Sequence, residues 1–432
     1  MFEKYDAYKD SENSELPNVP VGWEVYRIKY GIQLLTGYPF NSSKYSEEGI
    51  KLVRGINVKE SVLDWKDTAY WPEVTPDLQR YLLKDGDLLI GMDGSKVGKN
   101  FCQVSEQDLP LLLLQRVARL RVKNLLNARY LYWNLASKRF LNWINKSKTD
   151  PMIPHMAPKD INDFIIAFPP VGEQEGIVLF LDNKTSEIDQ AIAIKEQQID
   201  LLNERKQIVI QKAVTQGLNP NVAMKDSGVE WIGQIPEHWE IRANRTMFKE
   251  RNEQGKEGLP LLSVSIHSGV SNEEISEEDN VRGRVKIEDK SKYILVKTGD
   301  IAFNMMRAWQ GGIGAVSVNG MVSPAYIVAK PNHLINSEFF EYQYRCPEFI
   351  QQMDRYSKGI TDFRKRLYWD GFKQLVTVVP PIDEQLKIVK QIKAIEQQTN
   401  FAIQIKNQQI EKLKEYKTTL INDAVTGKIK VV

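Results

Sequence analysis

Two stretches of this chain repeat apolar residues at intervals of three and four. The first places Leu181, Ile188, Ile192, Ile199, Leu202, Val209 and Ala213 along one stripe, and the second places Ile392, Ile403, Ile410, Leu413, Leu420 and Ala424 in matching register. A mean period near 3.5 predicts a heptad seam on a helix. No proline or glycine interrupts 177–216 or 384–426. Pro169-Pro170 and Pro380-Pro381 suit helix starts, and Gly217 and Gly427 are stop signals. A helix of about 40 residues extends about 60 Å, too far to hide its stripe alone. The two are therefore expected to pack antiparallel as a spacer. Lys195 with Lys206, and Lys406 with Lys417, interrupt the seam at equivalent places. Polar seam residues fix register and partner.

Ahead of each helix the pattern changes to short strand-like runs and aromatic helical stretches. Asp85-Gly86-Asp87 reads as a turn feeding a strand over 88–90, and 294–296 and 301–303 flank a matching turn. The spacing predicts helix over 128–144 and 337–356, and strands over 164–168 and 375–379 lead into the proline pairs.

These likenesses are an internal repeat. Lys9-Asp10-Ser11 and Trp23-Glu24 recur as Lys225-Asp226-Ser227 and Trp239-Glu240, at an offset of 216; Gly86-Asp87 recurs as Gly299-Asp300, at 213. Pro169-Pro170 with Glu173-Gln174 recurs as Pro380-Pro381 with Glu384-Gln385, and Ala213-Val214-Thr215 as Ala424-Val425-Thr426, both at 211. Each copy has a diverged front on a nearly fixed tail, as two readers on one frame would. The fold class expected is mixed α/β (α+β) modules in two copies, joined by two long antiparallel coiled-coil helices with an internal pseudo-two-fold repeat. The segments are an N-terminal arm over 1–16, a module over 17–168, helix over 169–218, a linker over 219–234, a second module over 235–379 and a distal helical region over 380–432.

Composition narrows the function classes. The 432 residues are 42% hydrophobic with a net charge of +2. A global electrostatic case for nucleic acid is absent, so any basic surface must be local. Over 17–168 there are 21 cations against 16 anions, and over 235–379 there are 20 against 19. An acidic run from Glu273 to Asp279 depresses the second balance and is expected to face away from DNA. Cys102 and Cys346 stand far apart, and His155, His238, His267 and His333 show no ligand spacing, so reduced thiols and no metal site are expected. No apolar run approaches the roughly 18 residues of a membrane span, and the first residues are unlike a secretory leader. A cytoplasmic protein is expected.

Local cation clusters recur in both fronts. After the Gly-Asp strand comes a glycine-bearing loop, Gly91 to Asn100 with Ser95, Lys96 and Lys99, matched by Met306 to Gly312 with Arg307, Trp309 and Gln310. Glycine lets a backbone approach a partner closely, and Lys or Arg reaches phosphate or a guanine edge. A second basic stretch holds Lys138, Arg139, Trp143, Lys146 and Lys148 in the first copy, and Arg355, Lys358, Arg364, Lys365 and Arg366 in the second. With Arg54, these loops and stretches supply the candidate DNA contacts: Arg54, Ser95, Lys96, Lys99, Lys146, Lys148, Arg307, Trp309, Gln310, Lys358, Arg364 and Arg366.

The phrase from Phe168 to Gln174, its repeat from Val379 to Gln385, and the phrase from Asp226 to Trp239 resemble the conserved regions of type I restriction–modification specificity subunits. The Gly-Asp strand, the Ala-Val-Thr-Gly ending and the two-copy order resemble that family too. Asn13 to Pro17 lack the Glu-Trp-Ile-Gly core present at Glu230 to Gly233. The resemblance implies two target recognition domains, each reading half of a split double-stranded DNA sequence. It implies helices that set the gap and dock two methyltransferase subunits, through Glu173, Gln174, Glu384, Gln385 and the seam. Two restriction/translocase subunits would join them. S-adenosylmethionine, ATP and Mg²⁺ would belong to those partners, and this chain would have no catalytic residue or cofactor of its own.

Two other classes compete. A coiled-coil scaffold without DNA binding explains the tails but not two diverged, cation-bearing fronts. A nuclease needs a carboxylate set, which Asp279 with Glu288-Asp289-Lys290 offers only by spacing. No Asn-Pro-Pro-Tyr or Asp-Pro-Pro-Tyr motif, no GxGxxG after a strand and no complete P-loop occurs.

Overall fold

The computed structural model describes residues 2–147, 154–266, 268–271, 290–359 and 364–431. Contacts divide the chain into two compact units, Met1–Glu196 with Asn407–Val432, and Gln197–Lys406. The helices in chain order are α1 (Ala128–Ala136), α2 (Lys138–Ser147), α3 (Pro158–Asn162), α4 (Val171–Gln216), α5 (Ser337–Tyr344), α6 (Pro347–Arg355), α7 (Trp369–Phe372) and α8 (Ile382–Val425). Both long helices begin directly after a proline pair, earlier than the proline- and glycine-free stretches alone suggest.

In the first unit a four-stranded antiparallel sheet runs Ile32–Thr36, Val117–Val122, Leu88–Gly91, Phe101–Gln103. Glu24–Arg27 pairs with Ile165–Phe168 and leads the chain into α4. An additional sheet of Tyr70–Trp71, Ile50–Val53 and Leu111–Leu113 includes one parallel pair. The main core joins Trp23, Tyr130, Phe140 and Phe164 to Ile177, Leu181 and Ile188 of α4 and Leu420, Ile421 and Ala424 of α8. Here the helices run antiparallel, because Lys417 donates to Asp189 (2.7 Å) and Lys195 to Gln409 (2.8 Å). Two of the lysines that interrupt the apolar seam therefore set its register.

The second unit repeats the plan. Its sheet runs Phe248–Glu250, Tyr326–Pro331, Ile301–Asn304, Ile313–Ala315, and Glu240–Ala243 pairs with Val376–Val379 ahead of α8. Its core joins Trp239, Phe339, Phe340, Tyr344 and Phe372 to Ile210, Ala213 and Val214 of α4 and Ile388 and Ile392 of α8.

The structure corrects the continuous helices expected over 128–144 and 337–356. Each is a pair, broken where Ser137 and Cys346 adopt extended backbone. Pro347 forces the second break, since the residue before proline is driven out of helical conformation. At the first break Ser137 instead donates its hydroxyl back to the Asn134 carbonyl (2.6 Å).

Candidate nucleic-acid interface

Each front is locked to the helices by the same polar clasps. Trp23 and Trp239 are buried and donate their indole N–H to Glu173 (3.0 Å) and Glu384 (3.1 Å). Gln174 accepts from the Asn127 amide (2.8 Å) and donates to the Leu125 and Pro169 carbonyls. Gln385 does the same with Asn336 (2.8 Å), Leu334 and Pro380. All of these polar groups are paired within the chain, as buried amides require. At the far helix ends, Gly217 and Gly427 adopt positive φ. A Cβ on Gly427 would meet Pro20 at 2.4 Å, and one on Gly217 would meet Trp239 at 3.3 Å. Glycine here both ends the helix and admits the ring.

The glycine-bearing loops and the stretches after the second helix of each pair come together. In the first module Met92 donates to the Arg116 carbonyl (3.0 Å), Met156 donates to the Met92 carbonyl (2.9 Å), and Gly94 donates to the Pro154 carbonyl (3.1 Å). Asp93 then lies between two cationic or polar partners: one oxygen faces Arg116 Nε (3.4 Å) and the other contacts His155 Nδ1. In the second module the same main-chain junction recurs. Met305 donates to the Ala325 carbonyl (3.2 Å) and Leu367 to the Met305 carbonyl (2.9 Å). Lys365 stands over the Trp309 ring at 5.0 Å, Arg307 donates to Gln310 (2.8 Å), and the Lys358 and Arg366 main chains pair.

The predicted contacts fall into several settings. Ser95, Lys96 and Lys99 are exposed on the loop, with Lys96 paired to Glu60 (3.6 Å). Arg307 and Lys358 are exposed, and Trp309 and Gln310 are half-buried. Arg364 is exposed, and Arg366 donates to the Lys365 carbonyl (2.9 Å). Arg54 turns into its own loop, bonded to Asn57 and Asp67. Lys146 pairs with Glu15 of the N-terminal arm (3.0 Å). Arg139 is turned inward: it donates to the Ile165 carbonyl (3.0 Å), and burial lowers its guanidinium pKa to about 10. Lys148, the acidic run from Glu273 to Asp279, and Glu288 and Asp289 of the nuclease alternative lie outside the described residues.

Sequence reasoning missed Arg116 and His155. They lie far from Asp93 in the chain, and only the main-chain junction joins them. The one local signal is Arg116's positive φ of 71°, which a sequence does not display. Among the described residues no group of three or more His, Cys, Asp or Glu is placed to hold a metal ion. No helix there is long and apolar enough to cross a membrane.

Residues 20–204 match the family model described as the type I restriction modification DNA specificity domain. The chain is 31% identical over 168 residues to the type I restriction enzyme EcoAI specificity subunit of Escherichia coli, covering 38% of this chain and 28% of that one. It is 24% identical to the type I restriction enzyme MjaVIII specificity subunit of Methanocaldococcus jannaschii, over 100% of this chain and 98% of that one. The EcoBI specificity subunit of E. coli is 26% identical over 86% of this chain and 80% of its own length. Among solved structures, a chain from work on complex assembly and conformational transition of the type I R-M system superposes with TM-score 0.67 at 14% identity. That match covers 94% of this chain and 98% of the other. The HsdS subunit from Thermoanaerobacter tengcongensis gives 0.54 at 12% identity, over 95% and 98%. Both likenesses show a shared fold.

Proposed function

Starting from a chain that belongs to the type I restriction–modification specificity-subunit family, and is thus a non-catalytic DNA-specificity component, we propose that each module reads one half of a split duplex target. The observation that carries this reading is the repeated junction: two matching main-chain hydrogen bonds support dissimilar side chains, Asp93 to Lys99 in one module and Met306 to Gln310 in the other. Two modules on helices of fixed length suit two half-sites at a fixed spacing, about 34 Å per helical turn of DNA.

The same reading gives the helices a second task, docking two methyltransferase subunits. Supporting it, α4 leaves Leu179, Ile194, Leu201 and Ile208 exposed, the last three at heptad spacing, and α8 leaves Leu386, Phe401 and Ile405 exposed. Apolar side chains at that spacing suit a partner's helix. Restriction/translocase subunits would join through the methyltransferases. S-adenosylmethionine, ATP and Mg²⁺ act on those partners, and the target base is extruded into the partner's pocket.

The test is methylation mapping of genomic DNA in cells carrying this chain with its methyltransferase. A two-part motif with an unspecified gap is the expected result. Methylation without a shared sequence would favour the scaffold reading.

A further inference from the structure

The junction described above has equivalent positions in both modules. Arg116, Asp93 and His155 in the first correspond to Ala325, Met306 and Arg366 in the second. Two main-chain hydrogen bonds are kept while all three side chains differ, and only Arg116 has positive φ. Structure alone would not demand the first set. Arg116 sits on the turn into Val117–Val122 with φ of 71°, a left-handed conformation that glycine adopts without strain and arginine does not. Its side chain is 73% exposed, so packing does not call for an arginine there. A strained, exposed residue points to a task outside the fold.

Its surroundings define that task. Asp93 pairs with Arg116 at Nε (3.4 Å), which leaves the two terminal guanidinium nitrogens outside that ion pair. The other Asp93 oxygen contacts His155, so the carboxylate is engaged from both sides. An arginine paired to a carboxylate at Nε has a planar fork that matches guanine O6 and N7 in the major groove. A flexible surface arginine would serve as well for phosphate and would need no such support.

We propose that Arg116 is a specificity-determining residue of the first module that reads one guanine of its half-site, with Asp93 and His155 as positioning residues. This deepens the bipartite reading and rests on it. The test uses the whole complex with its methyltransferase partner, selecting from a pool of duplexes randomised in both halves. Arg116→Gly keeps the backbone conformation, and Arg116→Lys keeps the charge without the fork.

Both variants are expected to lose preference for one G·C pair of one half-site by about 10-fold or more, leaving the other half-site intact. Asp93→Asn is expected to weaken the same position. A wild-type complex that enriches no two-part motif ends the bipartite reading and this inference with it. A wild-type two-part motif that survives unchanged in Arg116→Gly ends this inference alone. So does affinity lost equally for all sequences with unchanged melting, the behaviour of a phosphate contact.

Discussion

Asp87 and Asp300 close the same turn, each accepting from the amide three residues earlier, Lys84 or Lys297, at 2.8 Å. The arginine that neutralises each comes from a different strand. Arg121, at 2.6 Å from Asp87, lies on Val117–Val122, whereas Arg251, at 2.7 Å from Asp300, follows Phe248–Glu250. The buried carboxylate is the constraint, and either the adjacent strand or the one beyond it can supply its partner. Arg251 is only 5% exposed and keeps Glu253 as a second partner, so Asp300→Asn weakens rather than strands the buried cation and is expected to destabilise by about 1–3 kcal/mol. Asp87→Asn is expected to cost less, because Arg121 reaches solvent. Chemical denaturation of the two variants measures the difference. The cysteines give a second check. Cys102 and Cys346 are buried, and desolvation pushes both thiols up to about 12. Neither is expected to react with a thiol reagent at pH 8 until the protein unfolds, when both should titrate. The sequence announced the Gly-Asp turn through its residue types. It could not announce which arginine pairs, since that depends on strand order.

At the scale of elements, the long helices were legible because a heptad seam and proline and glycine boundaries are local signals. The clasps were not. Glu173, Gln174, Glu384 and Gln385 stand out in the repeat as though awaiting a partner, yet each is bonded within the chain. Removing Gln174 orphans the Asn127 amide and two carbonyls, so Gln174→Ala is expected to lower stability by about 1–3 kcal/mol per group left unpaired. Docking is better sought on the exposed stripe. Leu201→Glu with Ile208→Glu should abolish co-purification with the methyltransferase while leaving the melting temperature near wild type. Unchanged co-purification would remove that stripe from the docking surface. Seven residues inserted at matched points of α4 and α8 add about 10.5 Å, or about three base pairs. Methylation mapping should then return the same half-sites with a wider gap.

For the whole molecule, the duplication carried most of the fold: the order of sheet, paired strands and long helix in one half is the order in the other. The candidate interface was only partly legible. Loops bearing Lys96, Lys99, Arg307 and Trp309 could be found from glycine and charge, whereas Asp93, Arg116 and His155 are joined only by main-chain pairing across distant segments. The reverse error came from Arg139, whose charge suggested a surface and whose guanidinium is turned inward to a carbonyl.

Besides the glutamine clasps, each front is seated on the helices through main-chain oxygens. In the first unit the Tyr130 hydroxyl lies within hydrogen-bond distance of the Ala167 and Val425 carbonyls, at 3.1 and 3.2 Å. In the second, Gln343 donates to the corresponding carbonyls of Val378 and Val214, both at 3.0 Å. Since the anchor points are backbone oxygens, present whatever the side chain, a crossover in the gene between the two glutamine clasps could import a foreign front without spoiling its seating. Under the proposed half-site reading, new sequence preferences would then arise by shuffling whole cassettes in a single event, faster than by accumulating point changes.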